Sequence, residues 1–167
     1  MSRLRRTWVY LQAMFPLPVM IPGGLVNAAA LYFALEALHG QTPLRITWRL
    51  PLAAAGVVLF SLLMRVYDEL KDAETDLRLA AAGDPRYADR PLVTGAVEVG
   101  DVVALRWVTT GLLVAVNAPL GPTVWVAGAA LFAFMWLSFK WFFWPAISEN
   151  ILLAFVTHNP VSILISA

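Results

Sequence analysis

Asp68, Asp72 and Asp76 follow one another at four-residue steps in the stretch Leu63–Asp76, where a long apolar run gives way to charge. At about 100° per residue, positions i, i+4 and i+8 drift only about 80° around a helix while climbing about 12 Å, so the three share one stripe. Like charges spaced i,i+4 cost about 0.2–0.5 kcal/mol per pair when nothing neutralises them. Oxygen ligands in such a row suit a hard divalent cation. Mg2+ accepts few carboxylates, keeps several waters and is commonly completed by substrate phosphates. Arginine grips phosphate oxygens with paired donors, and Arg86 and Arg90 follow in the next segment. A carboxylate–Mg2+–diphosphate cluster that opens into a membrane suggests a lipid diphosphate as substrate. On the spacing alone, a solvated acidic helix end is the commoner explanation.

The elements that must carry these residues are membrane helices. Of 167 residues 60% are hydrophobic and only 14% charged, against about 45–50% and about 25% in soluble domains. The net charge of +1 points to no nucleic acid, and a chain without Cys has no disulfide, thiolate metal site or Cys nucleophile. The pattern predicts an all-α, polytopic transmembrane bundle, read as a single membrane domain over 1–167 with about five spans. Residues 1–15 read as a basic, amphipathic interfacial segment, with Trp8, Tyr10 and Phe15 at the interface. Pro16, Pro18 and Pro22 lie at or near the start of a first span over Leu17–Leu38. Gly23-Gly24 offers close helix contact, and Asn27 is either an interhelical hydrogen-bonding group or a pocket-lining amide. A second span, Leu50–Tyr67, is expected to continue as a helix through the carboxylates to about Ala82. Val102–Ala118 and Thr123–Phe139 form the third and fourth spans, and Ala146–Ala167 is a fifth apolar run broken by Glu149 and by Thr157-His158-Asn159-Pro160. His158 and Asn159 are candidates for a pocket floor, with helix packing beside Pro160 as the alternative.

On the wheel of the second helix only Arg65 falls near the Asp stripe. Lys71, Glu74 and Arg78 fall on another face as a solvated patch, which leaves the stripe acidic. For Arg65 and Lys71, substrate contact and local ion pairing both remain open. Lys and Arg set the topology. Arg3, Arg5 and Arg6, the loop with Arg65 to Arg106, and Lys140 all lie on one side, whereas the other side has Arg45 and Arg49. This places the N-terminus and the loop 67–100 in the cytoplasm, in a cell membrane of bacterial inner-membrane type.

Asp68-x-x-x-Asp72-x-x-x-Asp76, followed by Arg90-Pro91-Leu92-Val93-Thr94-Gly95, resembles the first Asp-rich motif and following loop of the UbiA-type intramembrane prenyltransferases. The fuller string from Arg65 to Asp76 is similar to a bacterial subgroup of that family. The close likeness covers about thirty residues, and the helix order extends it more loosely. It implies that Asp68, Asp72 and Asp76 bind Mg2+ and through it an isoprenyl diphosphate. Arg90, with Arg65 and Lys71 beside it, would support the diphosphate. The implied reaction is prenyl transfer to an aromatic or other lipophilic acceptor. Three departures stand out. Asp68 occupies a position usually held by Asn. The gap between Asp76 and Arg90 is long. The family's nine-helix bundle carries a second Asp-rich motif, whereas no Asp follows Asp101 here. The chain is therefore expected to be the first half of such a bundle, or to work with the missing half or a partner subunit.

A reading from another class is a non-catalytic membrane protein that binds or transports divalent cations. Acids within the spans would then be expected, and the candidates, Glu36 and Glu149, lie near span ends. CDP-alcohol phosphotransferases also use Asp at four-residue steps, but their D-G-x-x-A-R opening is missing. Soluble prenyl-chain synthases lack this hydropathy.

Overall fold

A computed structural model describes residues 1–40, 43, 45–141, 150 and 152. Among these residues every regular element is helical. The expected fifth run, 146–167, lies almost wholly outside the described residues, and Glu149, His158 and Asn159 lie outside them entirely. The chain forms two compact units, Met1–Asn117 and Ala118–Ala167.

The first unit holds α1 (Arg3–Met14), α2 (Leu17–Leu38), α3 (Arg49–Ala81), α4 (Pro85–Ala88) and α5 (Val99–Asn117). Its axis is α3, against which α2, α4 and α5 pack, while α1 lies on α5. Proline opens several of these helices, because its fixed φ suits a first turn and its missing N–H costs nothing there. Pro16 and Pro18 begin α2, Pro51 stands in the first turn of α3, and Pro85 begins α4. The first span matches its expected bounds, and α3 runs on through the acidic stretch as its sequence predicts. The third helix starts earlier than expected, at Val99, because Asp101 in its first turn accepts from the Glu98 main-chain N–H at 3.1 Å. That contact satisfies one of the donors a helix start leaves open.

Where α2 crosses α3, Gly24 is required. A Cβ there would lie 2.5 Å from Val58 Cγ2, whereas one at Gly23 would meet nothing within 4 Å. The buried stripe of α3 runs through Ala54, Phe60, Leu63 and Val66 and then continues into Glu69 and Asp76. Val66 joins Tyr10, Val97 and Val102 in a core flanked by Leu62, Leu70, Leu92 and Leu105. Tyr10 and Phe15 are therefore buried in protein, and of the expected interfacial aromatics only Trp8 stays exposed. The helix ends in a Schellman turn. Gly83 takes φ 88° and donates to Ala80 O, and Asp84 N–H donates to Leu79 O at 3.1 Å.

In the second unit a short 3-10 turn, Ala118–Leu120, precedes α6 (Pro122–Trp141). Gly121 turns the chain at φ 100°, and Trp125 Nε1 donates to Ala118 O at 3.0 Å. Leu17–Leu38, Arg49–Ala81 and Val99–Leu120 are long and apolar enough to cross a membrane.

Candidate functional site

The acidic stretch lies on the last four turns of α3. Over 33 residues at about 1.5 Å each, α3 is about 50 Å long, against about 30 Å of bilayer hydrocarbon. The apolar part, from Arg49 to Tyr67, is by itself about long enough to cross, and Asp68 and everything after it lie past that part.

Past that point Asp68, Glu69, Asp72 and Asp76 each meet a base. Lys71 Nζ lies 3.2 Å from Asp68 Oδ1 and 3.8 Å from Asp72 Oδ1, with the lysine side chain 8% exposed and the two carboxylates 51% and 40% exposed. Arg90 Nη1 donates to Asp76 Oδ2, and Asp76 is buried. Arg65 Nη2 donates to Glu69 Oε2 at 3.0 Å. Lys71 and Arg90 thus offset two of the stripe's three negative charges, more than the wheel suggests. The wheel records where Cβ atoms point, but the four-carbon stem of Lys71 carries its ammonium back across the face between its neighbours. Arg65 is committed to Glu69 rather than to the Asp stripe. Arg90 arrives from the turn after α4, where Thr94 N–H donates to Arg90 O at 2.9 Å and Val97 N–H to Pro91 O at 3.1 Å. Its guanidinium also lies 4.8 Å from the Tyr87 ring centre, within cation–π range. In the same loop Asp84 accepts from the Arg86 main-chain N–H and side chain. Those hydrogen bonds hold its carboxyl below the usual aspartate range.

Of the residues expected at the site, the structure brings Asp68 and Asp72 to one cation, Lys71. Asp76 with Arg90, and Arg65 with Glu69, form separate pairs. Among the described residues Asn27 has no helix packed over it. The packed face of α2 runs through Gly24 and the buried Ala28, and Asn27, to one side of it, is exposed. A cavity of about 390 Å³ lies instead at the opposite ends of α2 and α3, lined by Tyr32, Glu36, His39, Trp48 and Arg49 among others. Asp68 is 19 residues along α3 from Arg49, about 28 Å at the helical rise.

Two groups at the site escaped the motif. Glu69 is 1% exposed, and its Oε1 has no hydrogen-bond partner among the described residues. The Tyr10 hydroxyl, buried in the adjoining core, is likewise unpartnered. Burial, and after it the charge of Glu69, pushes the Tyr10 phenol well above its ordinary value, so it stays a neutral hydroxyl. The signal for Glu69 was present in the spacing. Leu63 and Val66 are buried at a step of three, and the next position on that stripe is Glu69.

The donor set fits Mg2+ in part. Carboxylate oxygens are the hard ligands it takes, and one or two of them suffice where phosphates complete the shell. Asp68 and Asp72, converging on a single cationic atom, meet that description. A three-acid cage is not formed, and among the described residues no three acidic, His or Cys side chains come together as a metal site. Comparison with protein-family models, curated proteins and solved structures found no match to this chain.

Proposed function

We propose that this chain is the N-terminal half of a UbiA-like, Mg2+-dependent prenyltransferase that carries an isoprenyl diphosphate at the inner face of a bacterial cell membrane. The observation that carries this reading is the convergence of Asp68 and Asp72 on one cation, just past the apolar part of α3. Arg90, from the turn that closes the loop, holds Asp76 one turn further along α3. In this reading Asp68 and Asp72 are the metal-bearing acids. Asp76 and Arg90 fix the loop over α3, and Lys71 and Arg65 supply positive charge for the diphosphate. Bound Mg2+ would shield the diphosphate as its charge grows. The prenyl C–O bond breaks with its electron pair leaving on the diphosphate oxygen. The acceptor supplies the pair for the new bond and gives up a proton. The lipophilic acceptor and prenyl tail enter from the membrane, and the second Asp-rich motif comes from further chain or from a partner subunit, which together would complete a nine-helix bundle. The excess of Lys and Arg on one side supports a cytoplasmic N-terminus and acidic loop.

The test is binding of a radiolabelled prenyl diphosphate to detergent-solubilised protein, with and without Mg2+. Wild type is expected to bind only with Mg2+, and Asp72→Ala is expected to lose at least tenfold in affinity while still inserting in membranes. Equal binding by both proteins in both buffers would overturn the reading. A divalent ion that binds without any effect on prenyl diphosphate would favour a non-catalytic cation-binding protein.

A further inference from the structure

We infer that Lys71 is the resident cation of the Asp68–Asp72 pair, so that a divalent ion enters only by displacing it. The inference rests on the proposed reading that this pair receives a metal, and it adds how access to that site is controlled. Three observations carry it. First, the two half-exposed carboxylates share the Lys71 ammonium, at 3.2 and 3.8 Å, while the lysine itself is 8% exposed. An ammonium is a compact, strongly hydrated point charge, held here where a hard cation would have to sit. Second, the neighbouring acids are committed elsewhere. Asp76 is held by Arg90, and Glu69 gives one oxygen to Arg65. The pair therefore has no other cation within 4 Å among the described ion pairs. Third, Glu69 Oε1 is buried without a partner among the described residues, and Asp72 and Asp76 lie within electrostatic reach of it. A buried carboxylate oxygen is seldom left bare, because each such atom forfeits its hydration. The cluster holds four acids, Asp68, Glu69, Asp72 and Asp76, against three bases, Arg65, Lys71 and Arg90. Among the described residues it is one positive charge short, and its two most exposed acids share one lysine.

Displacement has a direct consequence. A divalent ion must replace the lysine's attraction to both acids and then share the site with a freed ammonium, a like charge nearby. Removing the ammonium while keeping the stem should therefore tighten metal binding. The probe is Mn2+ without any diphosphate, measured by electron paramagnetic resonance of the free ion in nanodiscs that carry the full chain. Lys71→Met is expected to bind Mn2+ about tenfold more tightly than wild type, and Lys71→Arg to bind it as wild type does. Lys71→Met combined with Asp72→Asn should lose the gain. Wild type that binds no Mn2+ while Lys71→Met does would also support the inference. If wild type binds Mn2+ and Lys71→Met binds it equally or more weakly, the lysine is an ordinary helix-surface ion pair and the inference fails alone. If neither protein binds Mn2+, the metal reading of the Asp pair fails with it.

Discussion

Three aspartates at equal steps look alike in the sequence, yet their surroundings assign them different work. Asp68 and Asp72 are half-exposed and share one ammonium, so replacing either leaves Lys71 with the other and removes little that the fold depends on. Asp76 is buried against Arg90, a residue 14 positions further along the chain. Removing one member of a buried, hydrogen-bonded ion pair leaves the other uncompensated, at about 3–5 kcal/mol. Arg90 keeps 28% of its side chain exposed, and that access to water reduces the cost to about 2–3 kcal/mol. Asp76→Ala is thus expected to lower the unfolding free energy by that amount, whereas Asp72→Ala should change it by under about 0.5 kcal/mol, as surface substitutions usually do. Denaturant titration in detergent, followed by Trp fluorescence, checks the split. Equal effects of the two substitutions would place all three acids in one structural role.

At the scale of elements, much was readable in advance, and the reason is physical. The bounds of α2 follow from Pro16 and Pro18 and from a largely apolar run in which Asn27 and Glu36 are the polar members. The length of α3 follows from helix-forming residues on both sides of Tyr67, with Gly83 to stop it. Ion-pair partners were not readable, because they depend on flexible stems and on loops that return from elsewhere. Lys71 crosses to another face, and Arg90 reaches Asp76 only because the loop between them folds back. That return is organised by α4. Asp84 caps it, Pro85 opens it, and Arg86 closes a side-chain hydrogen bond onto Asp84. With its carboxyl pKa held below the ordinary value, Asp84 favours the folded turn above the ordinary aspartate pKa. That contribution is lost as pH falls through the depressed folded value. Hydrogen exchange corrected for intrinsic rates should show residues 86–88 losing protection over that acidic window, and Asp84→Ala should show the same loss already at neutral pH. Unchanged exchange in the variant would move the control of the turn to Pro85 and the Schellman stop.

Across the first unit, the sequence reading missed how α1 is held. A basic amphipathic segment reads as lying on the lipid interface, and the structure adds that α1 docks onto the start of α5. Asp101, buried at 2% exposure, accepts from Arg6 Nη2 at 3.0 Å and Arg3 Nε at 3.3 Å, and it also braces the first turn of α5. Arg6 also pairs with Glu98 at 3.3 Å, but Glu98 is 68% exposed and solvent screens that bridge. Tyr10 and Phe15 add apolar burial further along. The two contributions can be separated, because the polar latch sits at the N-terminal end of α1 and the aromatic anchors at its far end. Asp101→Asn should free residues 3–8 and open Arg3, Arg5 and Arg6 to trypsin, at least tenfold faster than in wild type. Protection from Tyr10 onward should persist, and Glu98→Gln should leave cleavage unchanged. Because Tyr10 lies in the core beside Val66, next to the helix turn that carries Glu69, a released N-terminal end would loosen the wall of the acidic site without removing it. If Asp101→Asn leaves trypsin sensitivity as it was, α1 is held by its aromatic residues alone, and the arginines serve the membrane surface instead.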